Sequence, residues 1–233
     1  MNEALTALYS SKWNSLISKL EAITQDKNLD IKPTNPLLLY IDDEEGYQNA
    51  DIRLMIYGQE TNSWYEKGNG SIDEIQNLYD GFFNEGECWQ YRSQFWNGVK
   101  RFVSSLQNKY PDKKIRLTWN NIVKIGKQGD KGLPPDYIYE IEREYFNVIP
   151  EELEILNPNV VLFFTGPNYD SIVKDIFGVL KYQALPDSTE RQLSKVSLQK
   201  VPFAYRTYHP NYLWRHDIDD YFDTIIEDIN FNF

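Results

Sequence analysis

The sequence predicts an α/β fold, a single three-layer αβα domain with a central four-stranded parallel sheet. Four short apolar segments of strand length each run into a polar turn. Helical patterns lie between these segments, and strands that alternate with helices form parallel sheets. The 233 residues suit one domain and are few for two, so residues 1–233 are expected to fold as one unit.

The N-terminal part of the chain, residues 1–50, is predicted to be a helical and irregular segment that packs on the sheet domain. Leu5, Leu16 and Leu20 recur near helical spacing, so an amphipathic helix is expected over residues 3–23. The apolar residues 37–41 predict a short edge strand. This segment therefore adds an outer layer to the domain.

The first central strand is expected in residues 51–65, where an apolar run ends at Gly58. Its polar continuation lies where open α/β sheets present their ligands, at the carboxyl end of a strand. The other three strands are predicted at residues 114–125, 160–165 and 201–207. Helices are predicted from a serine cap at residue 71, over residues 89–110, from residue 136 to 156 with Pro150 as a candidate break, and over residues 168–177 and 217–229.

Composition excludes several classes of protein. Cys88 is the single cysteine, which rules out a disulfide within the chain and any four-cysteine zinc or iron–sulfur site. No apolar run reaches the length of a membrane span, and no basic-then-apolar leader opens the chain. We therefore expect a cytoplasmic protein with no membrane contact and no metal cluster.

The charge is uneven along the chain. The net charge of −11 disfavours nucleic acid, because contacts with phosphate need lysine and arginine. Residues 100–131, however, hold nine basic and two acidic residues, a net charge of +7. This window predicts a local basic face that could meet DNA, although a solvated basic surface explains it as well.

Polar residues follow each predicted strand and should meet at one edge of the sheet. A carboxylate, several amides and a histidine at such an edge suit the activation of water at a carbon centre. No serine or cysteine elbow, phosphate-binding glycine loop or metal cluster accompanies them. The residues concerned are Gln59, Glu60, Asn62, Asn120, Asn121, Gly166, Asn168 and His209.

Several of these residues form motifs that resemble the uracil-DNA glycosylase superfamily. Gly58-Gln59-Glu60 is similar to its first motif, GQDPYH, and the residues HPNYL at 209–213 are similar to its second, HPSPL or HPxxL. NIVK at 121–124 looks like the TNVVK segment of the bacterial and archaeal branch. The resemblance covers residues 51–215, with the motifs in the family's order.

The resemblance implies a DNA-repair hydrolase that excises uracil or another deaminated or damaged base without a cofactor. Glu60 then corresponds to the residue that activates water, and His209 to the one that stabilises the leaving base. Asn121 corresponds to the residue that reads the flipped base, and Phe95 is the candidate stacking platform, with Trp64, Tyr65 and Phe83 as rivals. Further candidates are Gly58, Gln59, Asn62 and Asn211 for substrate, and Lys124, Lys127, Lys131 and Arg215 for nucleic acid.

The chain departs from the family at defined places, which marks it as a divergent member. Glu60 replaces Asp or Asn, Thr61 replaces Pro, and Asn62 stands where a thymine-excluding Tyr is expected. The four cluster-binding cysteines of the prokaryotic branch are missing. A catalytically inactive module that binds nucleic acid or protein, and a hydrolase of free nucleosides or nucleotides, therefore remain alternatives.

Four of the candidate residues also have an explanation that involves only structure. Glu60 suits a solvated loop or a helix cap, and Asn121 suits a turn after its strand. His209 suits an anchor for the loop before Pro210, and Phe95 suits the core. These alternatives are open at the level of sequence.

Overall fold

A computed structural model describes residues 1–64 and 70–231 of the chain. Tyr65, one of the residues considered for base stacking, lies outside the described residues. The helices are α1 (Asn2–Gln25), α2 (Glu44–Gln48), α3 (Ile72–Tyr79), α4 (Gln94–Lys109), α5 (Asp136–Tyr145), α6 (Ile149–Leu156), α7 (Asp170–Phe177), α8 (Pro210–Leu213) and α9 (Ile218–Asp228). The strands are β1 (Pro33–Pro36), β2 (Ile52–Glu60), β3 (Ile115–Val123), β4 (Ile125–Lys127), β5 (Val160–Phe163), β6 (Tyr182–Ala184), β7 (Leu193–Val196) and β8 (Phe203–Thr207).

The chain divides into two compact units, each assembled from three segments. The first unit comprises residues 1–44, 59–85 and 120–156, and the second comprises residues 45–58, 86–119 and 157–233. The last residues of β2 and β3 belong to the first unit, and the preceding residues of both strands belong to the second.

The sheet has six strands in the order β3-β2-β5-β8-β7-β6. β2, β5 and β8 are parallel neighbours, whereas β7 pairs antiparallel with both β8 and β6. The expected four-stranded, wholly parallel sheet is therefore corrected to a mixed sheet of six strands. The added hairpin, β6 and β7, comes from a polar stretch in which the sequence indicated no element.

Helices cover both faces of the sheet in the second unit. Phe163 stacks on Tyr57 at 5.0 Å between ring centroids and also contacts Phe177 of α7. Phe164, the next residue, packs against Phe102 of α4 and Phe222 of α9. Successive residues of an extended chain point to opposite faces, so α7 lies on one face and α4 with α9 on the other.

In the first unit, α1 packs against helices from later in the sequence. Tyr9 of α1 is fully buried, its ring lies 6.1 Å from that of Phe146, and its hydroxyl donates to Glu152 of α6 at 2.7 Å. The helix predicted from residue 71 is confirmed as α3. Ser71 and Glu74 form a complete capping box at its N-terminus, which satisfies backbone groups that the helix leaves unpaired.

Residues 37–41 do not form the expected edge strand. β1 lies just before them and pairs antiparallel with β4. The backbone N–H of Leu39 donates to the Tyr9 hydroxyl at 3.0 Å, and its carbonyl accepts from Gln76 Nε2 at 2.9 Å. Side chains therefore satisfy backbone groups that would otherwise pair with a neighbouring strand.

Candidate functional site

Glu60 ends β2 and lies in the first unit. Its half-buried side chain accepts a hydrogen bond at Oε1 from the backbone N–H of Gly132, at 3.1 Å. Gly132 adopts a positive φ of 85°, a conformation that glycine tolerates without strain. The loop that follows β4 therefore holds the carboxylate in a defined position. Asn62, predicted to contact substrate, is exposed.

Asn121 is anchored to the residue that follows Glu60. Its side chain is buried, and its Nδ2 donates to the hydroxyl of Thr61 at 3.1 Å. The Thr61 backbone N–H and hydroxyl both bond to the carbonyl of Val123, at 3.0 and 3.1 Å. The ends of β2 and β3 are thus joined by side chains as well as by backbone.

Lys124 is buried, which corrects its predicted role on a basic, DNA-binding surface. Its side chain has 0% exposure and its ammonium lies 2.8 Å from Glu152 Oε1. The ammonium also donates to Asn120 Oδ1 at 2.9 Å, and Asn120 Nδ2 donates to Glu152 Oε2 at 2.9 Å. A fully enclosed ion pair offers no charge to a polyanion at the surface.

Glu142 of α5 is a second buried carboxylate beside Lys124. Its two oxygens accept from the backbone N–H groups of Lys124 and Ile125, each at 2.8 Å. Burial raises the pKa of Glu142 to about 7, although both hydrogen bonds and the Lys124 charge favour ionisation. The charge at this point of the first unit therefore changes near neutral pH.

His209 lies in the second unit and caps α8. Its Nδ1 accepts a hydrogen bond from the backbone N–H of Asn211 at 3.1 Å. Burial lowers the pKa of His209 to about 4, so the ring is neutral at physiological pH. A neutral imidazole carries one proton, which must lie on Nε2 because Nδ1 is an acceptor. His209 therefore presents Nε2–H as a hydrogen-bond donor.

Phe95 packs directly against the histidine. The two rings are 5.5 Å apart between centroids and 25° from parallel. Phe95 also meets Phe164 edge-on at 6.3 Å, so one side of its ring belongs to the core of the second unit. Among the rivals for base stacking, Trp64 and Phe83 are buried in the first unit, at 7% and 6% exposure.

At least four of the nine basic residues in the predicted basic window pair with acidic side chains. Besides the buried Lys124 pair, Arg101 pairs with Asp219, Lys113 with Asp51 at 3.5 Å, and Lys127 with Asp130 at 3.1 Å. The window is also divided, because residues 100–119 belong to the second unit and residues 120–131 to the first. Lys131 and Arg215, both predicted to bind nucleic acid, are exposed, and Arg215 donates to the carbonyl of Asn211.

The structure thus places the candidates in two groups. Gln59, Glu60, Asn62 and Asn121 lie in the first unit, and Gly58, Phe95, His209 and Asn211 lie in the second. Side-chain contacts link Asn121 to Thr61, and Phe95 to His209.

Glu142 and Glu152 were not predicted from the sequence, because each has the pattern of an ordinary acidic residue on an amphipathic helix. Gly98 was not predicted either, although a glycine inside a helix is a recognisable signal for close approach.

In the part of the chain that the structure describes, no group of three or more His, Cys, Asp or Glu side chains is arranged to hold a metal ion. Within the same residues, no helix combines the length and the apolar character that a membrane crossing requires. Comparison with sequence models of protein families gives no match, and comparison with curated proteins gives none either.

Proposed function

We propose that the protein hydrolyses the N-glycosidic bond of uracil, or of another deaminated or damaged base, in DNA. The observation that carries this proposal is the geometry of His209, whose ring stacks on Phe95 and whose Nδ1 accepts from the backbone N–H of Asn211, which leaves Nε2 as the nitrogen that carries the proton of a neutral ring. The motifs around Glu60 and His209, and their resemblance to uracil-DNA glycosylases, supply the substrate class.

The reaction breaks the bond between the sugar C1′ and the base nitrogen, and the bonding pair leaves with the base. Water adds its oxygen to C1′, and its proton ends on the base or in solvent. Negative charge develops on the departing base, and a neutral N–H donor stabilises it as the bond stretches. A donor that is uncharged before the reaction keeps this interaction strongest in the transition state.

Glu60 is assigned the complementary role of stabilising positive charge on the sugar and orienting the water. The support is that its carboxylate is half-buried at a strand end and is held by the N–H of Gly132. A carboxylate fixed in this way loses little conformational freedom when it directs a water molecule.

The test is cleavage of labelled oligonucleotides that contain uracil, hypoxanthine or xanthine, followed by alkali to break the chain at abasic sites. We expect His209→Ala to slow base release by roughly 100-fold or more, and Glu60→Gln to slow it similarly. His216→Ala is the matched control, because His216 is the other histidine and is exposed. No cleavage of any of these bases by the wild-type protein would contradict the proposal.

A free nucleoside or nucleotide is the second candidate substrate for the same chemistry. The observation that favours it is the net charge of −11 together with the pairing of Arg101, Lys113 and Lys127 with acidic residues, because duplex DNA needs basic side chains that contact its phosphates. Chromatographic analysis of base release from nucleosides separates the two. Release from a nucleoside at a rate equal to or above that from an oligonucleotide would assign the small substrate.

A further inference from the structure

Helix α4 lacks a side chain at the point where it meets α8. A Cβ atom built at Gly98 would lie 2.6 Å from Pro210 Cβ and 2.8 Å from Pro210 Cγ. Carbon atoms in contact are normally about 3.5–4.0 Å apart, so no larger residue fits without displacing the proline. Gly98 and Pro210 are both buried, and both lie in the second unit.

The same face of α4 carries the ring that supports His209. Phe95 precedes Gly98 by three residues, and side chains three apart share one face of a helix. Pro210 follows His209 directly, and α8 begins at Pro210. The neighbouring positions Phe95 and Gly98 therefore contact two consecutive residues, His209 and Pro210.

We propose that Gly98 is a positioning residue for His209. Its missing side chain seats Pro210 against α4, and this seating holds the imidazole on Phe95 with Nδ1 bonded to the Asn211 N–H. The importance of this geometry for catalysis rests on the function proposed above, but the geometry can be tested without substrate.

The proline ring explains why a small change at residue 98 reaches the histidine. A pyrrolidine ring is rigid and cannot rotate away as a flexible side chain would. The far end of α8 is tied to α4, because Trp214 Nε1 donates to the carbonyl of Gln94 at 3.1 Å. A methyl group at residue 98 would therefore push out the start of α8, where His209 lies.

The direct test is an NMR titration of the two histidine rings, with Gly98→Ala compared with the wild type. His216→Gln, made in each background, leaves only the signals of His209. Displacement of the ring admits water, so the pKa of His209 should rise from about 4 by about one pH unit or more. The ¹⁵N shifts should also show loss of the single tautomer protonated at Nε2.

Two further variants separate positioning from a general loss of stability. Asn97→Ala changes the adjacent, exposed residue of α4 and should leave the titration of His209 unchanged. Pro210→Gly removes both atoms that a Cβ at residue 98 would strike. The double variant Gly98→Ala/Pro210→Gly should therefore titrate like Pro210→Gly alone, and should fold even if Gly98→Ala does not.

Two results would overturn the proposal. One is a folded Gly98→Ala protein whose His209 titrates as in the wild type. The other is a double variant whose His209 differs from that of Pro210→Gly as much as His209 of Gly98→Ala differs from that of the wild type.

Activity gives an independent readout. If the wild type hydrolyses the N-glycosidic bond, Gly98→Ala should lower kcat by roughly 10- to 100-fold with little change in KM. An inactive wild type would refute the proposed function but leave the titration result standing, so the two failures are distinguishable.

Discussion

Lys124 lies with its ammonium group between Glu152 and Asn120, and none of these three side chains is exposed. Replacing a buried ion pair with apolar residues is often neutral, so the pair is weak support for stability. Its clearer consequence is that it positions Asn121, because Asn120 Oδ1 accepts from both the Lys124 ammonium and the backbone N–H of Asn121. The pair thereby fixes the residue predicted to read a base.

Glu142 gives a prediction on stability and pH. Its pKa is raised to about 7 in the folded protein, from an ordinary value of 4.5. Between these values the folded state binds a proton that the unfolded state has lost, so the free energy of unfolding falls as pH rises from 4.5 to 7. We expect a contribution of about 1–3 kcal/mol, lost above pH 7.

The measurement is urea unfolding of the wild type and of Glu142→Gln across this pH range. Glutamine cannot ionise, so the difference between the two proteins should change with pH in the direction stated. His209 acts oppositely, because its lowered pKa removes stability as pH falls from 6.5 to 4. Both proteins contain His209, so its effect cancels in the difference between their free energies of unfolding. A difference that does not change with pH would refute the assignment to Glu142.

At the scale of secondary structure, the positions of the polar residues at the ends of β2 and β3 depend on a close approach between two backbone segments. These are β4 and the residues that follow β2. A Cβ at Gly126 in β4 would lie 1.8 Å from the carbonyl oxygen of Thr61. The N–H of Gly126 donates to the Thr34 hydroxyl at 3.0 Å, which ties β4 to β1. The short strands β1 and β4 thus pack against the turn that follows Glu60.

Gly126→Ala is therefore expected to be strongly destabilising. The clash is with backbone, which cannot move aside as a side chain can, and the expected loss is about 3 kcal/mol or more in the free energy of unfolding. Gly81→Ala is the matched control, since its nearest atom is the end of the Glu85 side chain at 3.9 Å. Denaturant unfolding compares them, and equal effects at the two positions would contradict the close approach at Gly126.

At the scale of the whole molecule, the net charge and the pairing of charged residues determine how strongly the protein binds a polyanion. The chain carries a net charge of −11, and acidic partners occupy several cations of the basic window. Each phosphate contact steepens the fall of affinity with salt by about 0.9 in the logarithmic slope for duplex DNA. The overall negative charge and these pairings therefore limit the number of phosphate contacts.

We therefore expect weak binding to duplex oligonucleotides, with a shallow dependence on salt. If Lys131 contacts phosphate as the sequence predicts, Lys131→Gln should reduce the logarithmic slope by about 0.9. Lys27→Gln, a second exposed lysine of the first unit, is the control and should leave the slope unchanged. Fluorescence anisotropy at several salt concentrations measures both, and equal slopes for wild type and Lys131→Gln would remove Lys131 from the interface.

The sequence by itself determined the features that depend on local energetics. Leucines at helical spacing located the helix α1, and short apolar runs that end at turn residues located the strands β2, β5 and β8, because both patterns are local in the sequence. The serine cap of α3 was readable for the same reason, since Ser71 and Glu74 are three residues apart. The strand ends, and with them Glu60 and His209, followed from these elements.

Tertiary structure alone decided which polar residues are buried and in what state. The sequence alone suggests that Lys124 is a surface cation, but in the fold its ammonium group donates to Glu152, 28 residues later. The neutral state of His209 depends on burial beside Phe95, from a distant helix, and the hairpin β6 and β7 depends on pairing with β8. Desolvation and strand pairing depend on neighbours that are remote in sequence, and no local pattern encodes them.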